Sequence, residues 1–145
     1  MADIETENVT PTGTWDFTGA TLDPDFSKSV VNFIIDGGGS EIETGIKGDI
    51  RIPFDCTITK VTLLADQSGS IKIDIWKDSY TNFPPTDADS ITGGNEPEIS
   101  TSTKNEDDTL TGWTTSISEG DILRINTDSV TDIERVTLIL NLERT

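Results

Sequence analysis

Arg51 to Asp78 reads RIPFDCTITKVTLLADQSGSIKIDIWKD, and this stretch decides the fold class. Ile71, Ile73 and Ile75 alternate with Lys72, Asp74 and Trp76, the period-two pattern of a strand that buries one face. Val61, Leu63 and Ala65 alternate in the same way, while Cys56 and Ile58 fall on the opposite parity. A bulge near Thr59 and Lys60 reconciles the two sets. Asp66-Gln67-Ser68-Gly69 has turn chemistry, so the two apolar runs are expected to form a hairpin.

Working outward, the same texture continues. Ser29 to Asp36, SVVNFIID, is a nearly continuous apolar run, suited to a strand covered on both faces and ended by Gly37-Gly38-Gly39. Asp49 to Phe54 places Ile50, Ile52 and Phe54 on one face. Downstream, Pro84-Pro85 and Gly93-Gly94 punctuate a polar connection running to about Thr109, and Leu110–Ile117, Asp121–Thr127 and Ile133–Leu142 supply the last strands. Seven or eight short strands without an amphipathic helical pattern predict an all-β fold: a single β-sandwich, jelly-roll or Greek-key like, over residues 29–145. Residues 1–28 are expected to form an extended N-terminal arm.

Composition limits the chemistry. The 145-residue chain has room for one domain, and its 32% hydrophobic content favours thin layers with many solvated turns. Ten basic residues against 27 acidic ones give a formal charge of −17, which disfavours nucleic-acid backbones and acidic membrane surfaces. There is no histidine, so Ser–His–Asp, Cys–His and histidine-ligated zinc sites are excluded. Cys56 is the single cysteine, so an internal disulfide is excluded too, and the residue is expected to serve as a small buried hydrophobe. The N-terminus MADIETENVT has no basic and apolar leader pattern, and no apolar run is long enough to span a bilayer. Synthesis and folding in the cytoplasm of the producing cell are the expectation.

The phrases RIPFDCTI, LLADQSGSIKIDIWKD, NFPPT, LTGWTTSISEGD and ERVTLILNLERT cover most of the chain beyond residue 30. Together they resemble a β-sandwich module carried by virion appendages of tailed bacteriophages, in head-fibre, decoration and tail-fibre proteins. The resemblance implies a non-enzymatic structural protein of the virion surface, a capsid decoration or head-fibre subunit, contacting other virion proteins and assembled as a homo-oligomer, with a trimer as the expected state. The alternative it carries is a receptor- or carbohydrate-binding module of a tail appendage, with a host-surface glycan as ligand.

Candidate sites are few. Trp15 and Phe17 share one parity of the arm and are expected to anchor it, in a neighbouring virion subunit or folded back on the domain's own edge. Trp76, flanked by Asp74 and Asp78, together with Tyr80, Phe83 and Trp113, forms the set of ligand or interface aromatics. The opposing expectation is that Trp76 lies beneath the 79–109 connection in a satellite core with Tyr80 and Phe83. Three oxygen-rich loops, Asp23-Pro24-Asp25, Asp87-Ala88-Asp89 and Asn105-Glu106-Asp107-Asp108, lack the EF-hand spacing, so neither a metal nor a cofactor is expected. No carboxylate pair stands out for glycoside hydrolysis, and no catalytic residue is assigned.

Overall fold

The computed structural model describes Gly19 and residues 24–145. Among these residues there is no helix of seven or more residues, and the chain is a curled antiparallel sheet, consistent with an all-β sandwich-like fold. Seven strands build it: β1 (Lys28–Asp36), β2 (Gly45–Arg51), β3 (Cys56–Asp78), β4 (Glu98–Asp107), β5 (Ser116–Ile117), β6 (Ile122–Thr131) and β7 (Arg135–Arg144).

The sheet order is β1-β7-β3-β6-β2, with β4 and β5 on the other edge of β3. β3 is the spine. Its first half pairs with β7, from Cys56 opposite Arg144 to Ala65 opposite Val136. Its second half pairs with β6, from Ser70 opposite Thr131 to Asp78 opposite Ile122. β6 and β7 therefore run in line along one side of β3, and β2 and β1 continue the arrangement beyond them. The result is four long strands, each bent near its middle, so that the sheet folds onto itself. Layer one holds β1, β7, the first half of β3, β5 and the end of β4. Layer two holds β2, β6, the second half of β3 and the start of β4.

The bends align, and their residues explain why. Gly69 is buried against the β6–β7 corner, where an added Cβ would lie 2.4 Å from the Thr131 carbonyl oxygen and 2.7 Å from Ile133 Cγ1. Asp132 takes a φ of 65° at that corner, and Thr101 takes 46° where β4 bends. Side chains stitch the corners together. The Asp132 amide donates to Glu41 Oε2 at 2.6 Å, the Arg135 amide to Asp66 Oδ1 at 3.0 Å, and the Thr101 amide to Ser70 Oγ at 3.0 Å. Gln67 Nε2 also donates to the Asp132 carbonyl.

Between the layers lies one core, in which Ile58, Val61, Leu63, Leu138, Leu140 and Leu142 of layer one meet Ile71, Ile73, Ile75, Leu123 and Ile125 of layer two. Burying each such side chain contributes about 1.5–3 kcal/mol, so the core offsets the small apolar fraction by burying what it has almost completely. Cys56 is buried within it, and burial pushes its thiol pKa up, in keeping with a packing role.

Four sequence expectations need correction. Asp66–Gly69 is not a hairpin turn: β3 runs continuously through it, because its two halves pair with different strands instead of with each other. Ser29–Asp36 is not covered on both faces. As an outer strand beside β7, it leaves Val30 52% and Ile34 62% exposed. The connection is not strand-free up to Thr109, since β4 occupies Glu98–Asp107. Leu110–Ile117 is mostly a turn, with φ of 48° at Leu110 and only Ser116–Ile117 in a strand. The bulge in β3 is where alternation placed it, between Ile58 and Lys60.

Candidate binding surfaces

Strand alternation in the second half of β3 sends Asp74 and Trp76 to the outer face of layer two, opposite Asn126 and Arg124. Both are nonetheless buried, because the connection after β3 folds back over them. The Ile91 amide donates to the Ile75 carbonyl at 2.9 Å, and Ser90 bridges Trp76. Asp74 is the fastening point. Its Oδ1 accepts from the Ile75 amide at 2.8 Å, Ser90 Oγ at 2.8 Å and Thr92 Oγ1 at 3.0 Å, while Oδ2 accepts the Trp76 indole N–H at 2.7 Å. A buried carboxylate is tolerated when its lone pairs are occupied in this way. Trp76 is thus a structural residue, buried under the connection instead of being offered to a ligand.

Tyr80 and Phe83 do not join it in a satellite core. They stand 67% and 46% exposed, since the short 3-10 turn at Tyr80–Asn82 lifts them over the β2–β6 edge. Each meets a guanidinium there: Arg51 lies 4.9 Å from the Tyr80 ring centroid, and Arg124 lies 5.0 Å from that of Phe83. Arg124 is fixed from below by Asp49, with Nε–Oδ1 at 2.8 Å and Nη2–Oδ2 at 3.0 Å. This bidentate pair holds the Arg124 pKa above its ordinary value. Arg51 makes no ion pair with an acidic side chain among the described residues, in a chain of charge −17. It also lines an open recess with Pro53, Glu119 and Gly120. Together the two rings and two arginines form an exposed ledge suited to stacking and hydrogen bonding.

A carboxylate cluster lies close by. Asp74, Glu96 and Asp128 bring oxygens within 4.8 Å of one another, although no sequence spacing connects them. Burial foremost, with the neighbouring carboxylates of Asp74, Glu96 and Asp87 adding to it, raises the Asp128 pKa. A cation there would have to share Asp74 with its four donors. Thr127 Oγ1 is buried without a hydrogen-bond partner, but alternation along β6 places it with Leu123 and Ile125 on the core side. Of the three loops singled out in the sequence, Asp87–Asp89 is a 3-10 turn in which Asp89 accepts from the Thr86 amide and hydroxyl. Asp107 Oδ1 accepts from the Thr109 and Leu110 amides. Asp25 pairs with Lys28 at 2.8 Å, and Asp23 lies outside the described residues.

Trp113 is partly buried against the core, and its indole N–H donates to the Asn95 carbonyl at 2.9 Å, closing the connection. Trp15 and Phe17 lie outside the described residues. The surface that sequence reasoning missed is the outer face of layer one. Register aligns Val30 and Ile34 of β1 with Asn141 and Thr137 of β7, and these with Lys60 and Leu64 of β3, with Ile139 between them. Leu64 is 44% exposed, so an apolar patch remains open across β1, β7 and the first half of β3. Alternation along β7 puts Ile139 on the face opposite Leu138 and Leu140. What hid the patch was the continuous apolar text of β1.

No protein family and no curated protein matches this chain. Among solved structures, a chain in the structure of infectious bursal disease virus, Gx strain, aligns with a TM-score of 0.27 and 14% identity. The alignment covers 86% of this chain, which spans 41% of that one, and at such a score it carries no argument.

Proposed function

We propose that this chain is a non-enzymatic structural protein of a tailed-phage virion, a capsid decoration or head-fibre subunit displayed on the particle surface. Its partners are other virion proteins and further copies of itself, with a trimer as the expected assembly. The sequence resemblance supplies the setting. The observation that carries the reading is how polar and apolar groups are divided. The most buried carboxylate, Asp74, is consumed by four hydrogen bonds, and Arg124 is locked to Asp49. Among the groups left exposed are large apolar or aromatic side chains: Val30, Ile34, Leu64, Tyr80 and Phe83. That is the character of a contact module, in which side chains meet surfaces instead of transforming a bound molecule. Quantitative mass spectrometry of purified particles tests it. Hundreds of copies per particle are expected for a capsid subunit, and absence from washed particles would overturn the reading.

A second reading, a receptor- or carbohydrate-binding module, is favoured by one observation, the Tyr80–Arg51 pair at the ledge. An exposed ring backed by a guanidinium can stack on a sugar while donating to its hydroxyls. A glycan array probed with the intact protein and with Tyr80→Ala separates the two readings: a Tyr80-dependent signal favours the second.

A further inference from the structure

The open patch ends at β1, the outermost strand of layer one, whose far side is a free sheet edge. The Gly37 amide donates to the Glu134 carbonyl at 2.7 Å, which continues the β1–β7 register and fixes the phase of the ladder. Ser29, Val31, Phe33 and Ile35 therefore aim their main-chain groups at β7, and Val30, Asn32 and Ile34 aim theirs away from the sheet. No hydrogen bond on that outer side is made among the described residues. Proteins commonly protect such an edge with a bulge, a proline or a charge in mid-strand. β2, the outer strand of layer two, has a bulge between Ile46 and Gly48, with Lys47 in it. β1 has none of these: its register runs unbroken over 9 residues, and its charges, Lys28 and Asp36, stand only at its ends.

We propose that β1 is a docking edge for a second copy of this chain, pairing antiparallel with the partner's β1 across a two-fold axis at Asn32. The strand is complementary to its own reverse. With Asn32 opposite the partner's Asn32, Val30 meets the partner's Ile34, Val31 the partner's Phe33 and Lys28 the partner's Asp36. In this register the outward main-chain groups of Val30, Asn32 and Ile34 oppose those of the partner and exchange about six hydrogen bonds. A shift by two residues, the smallest that keeps those groups opposed, sets Asn32 against the partner's Val30 or Ile34 and an end charge against an apolar side chain. Electrostatics permit the contact. At one end of β1, Lys28 and Arg144 balance Asp25 and Glu143, and at the other Arg135 faces Asp36 and Glu134. β2 adds Lys47 and Arg51 against Asp49, so the edge strands and the groups at their ends are neutral in a chain of charge −17. Glu41 and Glu43 follow β1 at the corner, and an antiparallel contact keeps the two corners at opposite ends.

Cysteine cross-linking in the full-length protein tests the proposal. Asn32→Cys sets two thiols across the axis with Cα atoms about 5.5 Å apart, inside the range that a disulfide spans. It should give disulfide-linked dimers under mild oxidation, in a yield that rises with protein concentration. Val30→Cys and Ile34→Cys each lie about 14 Å from their own counterparts, so each alone should cross-link at least about tenfold more slowly. Mixed together, those two variants should cross-link to each other. All three positions are exposed and Cys56 is buried, so the variants are expected to fold; a melting transition confirms each. Light scattering of the unaltered protein should approach an even number of copies as concentration rises. Asn32→Asp opposes two carboxylates at the axis and should weaken this association several-fold, more strongly at low salt. Equal cross-linking at all three positions, none at Asn32, association unaffected by Asn32→Asp, or a mass of one or three copies at every concentration overturns the proposal. The contact is two-fold and separate from the three-fold one expected of the virion reading, with which it would build a hexamer. None of these readouts needs virions, so either idea can fail alone.

Discussion

Asp74 is the residue on which the covered side of layer two depends. Asp74→Ala removes the acceptor for four donors and leaves the Trp76 indole N–H buried without a partner, which should cost about 2–4 kcal/mol. Chemical denaturation measures this, and an effect below about 0.5 kcal/mol, as at an ordinary surface site, would show that the connection is held elsewhere. Asp128 acts in the opposite direction. Its pKa is raised in the fold, so its contribution is favourable below the ordinary aspartate value of 3.8 and is lost as pH rises through the folded value. Asp128→Asn should therefore raise the melting temperature at neutral pH and have little effect at the acid end of the profile. Asp36, Asp89 and Glu106 are lowered by hydrogen bonds and, for Asp36 and Glu106, by a basic neighbour. Their contributions are present at neutral pH and fall away as pH drops through their folded values. Chelator and reductant should leave the transition nearly unchanged, because the core forms around packed isoleucine and leucine. A fall of many degrees in EDTA would place a cation among Asp74, Glu96 and Asp128.

At the scale of elements, the bends decide whether four long strands become two layers. Gly69→Ala should destabilise by about 2–4 kcal/mol, since the added methyl meets backbone at 2.4 Å and a fully buried isoleucine at 2.7 Å. Thr101 is a β-branched residue at φ 46°, a conformation that costs it of order 1 kcal/mol or more. Thr101→Gly should therefore be neutral or stabilising by up to about 1 kcal/mol, whereas glycine in a regular strand weakens it. A clear loss on Thr101→Gly would show that the side chain makes a contact worth more than the strain. β4 shows the limit of reading strands by pattern. EISTSTKNED has one apolar residue, Ile99, that the core needs, and the remainder lies on an outer edge where polarity is no disadvantage.

At the scale of the whole molecule, the charge of −17 works against compaction. Raising salt from about 10 to 100 mM shortens the screening length from about 30 to 10 Å and should raise the melting temperature by a few degrees. An unchanged or lower value would mean that the six ion pairs among the described residues, four of them joining two strands through Lys60, Lys72, Arg124 and Arg135, outweigh the repulsion. The same charge shapes assembly. If copies associate, contacts should avoid the acidic turns and use the ledge, and Tyr80→Asp should weaken self-association measured by light scattering at moderate salt.

The sequence by itself determined the class of the fold, the inward residues of β3 and the bulge in that strand, because alternation is a local property that each strand writes in its own text. It likewise excluded histidine chemistry and disulfides by composition. Tertiary structure decided the rest. Whether Asp66–Gly69 turns or continues depends on β6 and β7 lying in line along β3, which no window of sequence contains. Val30 and Ile34 are exposed because β1 is outermost, and Trp76 is buried because a connection starting at Ser79 returns over it. The Asp74–Glu96–Asp128 cluster and the arginine-backed ledge join residues brought together only by register and by that return, so their spacing along the chain gave no sign of them.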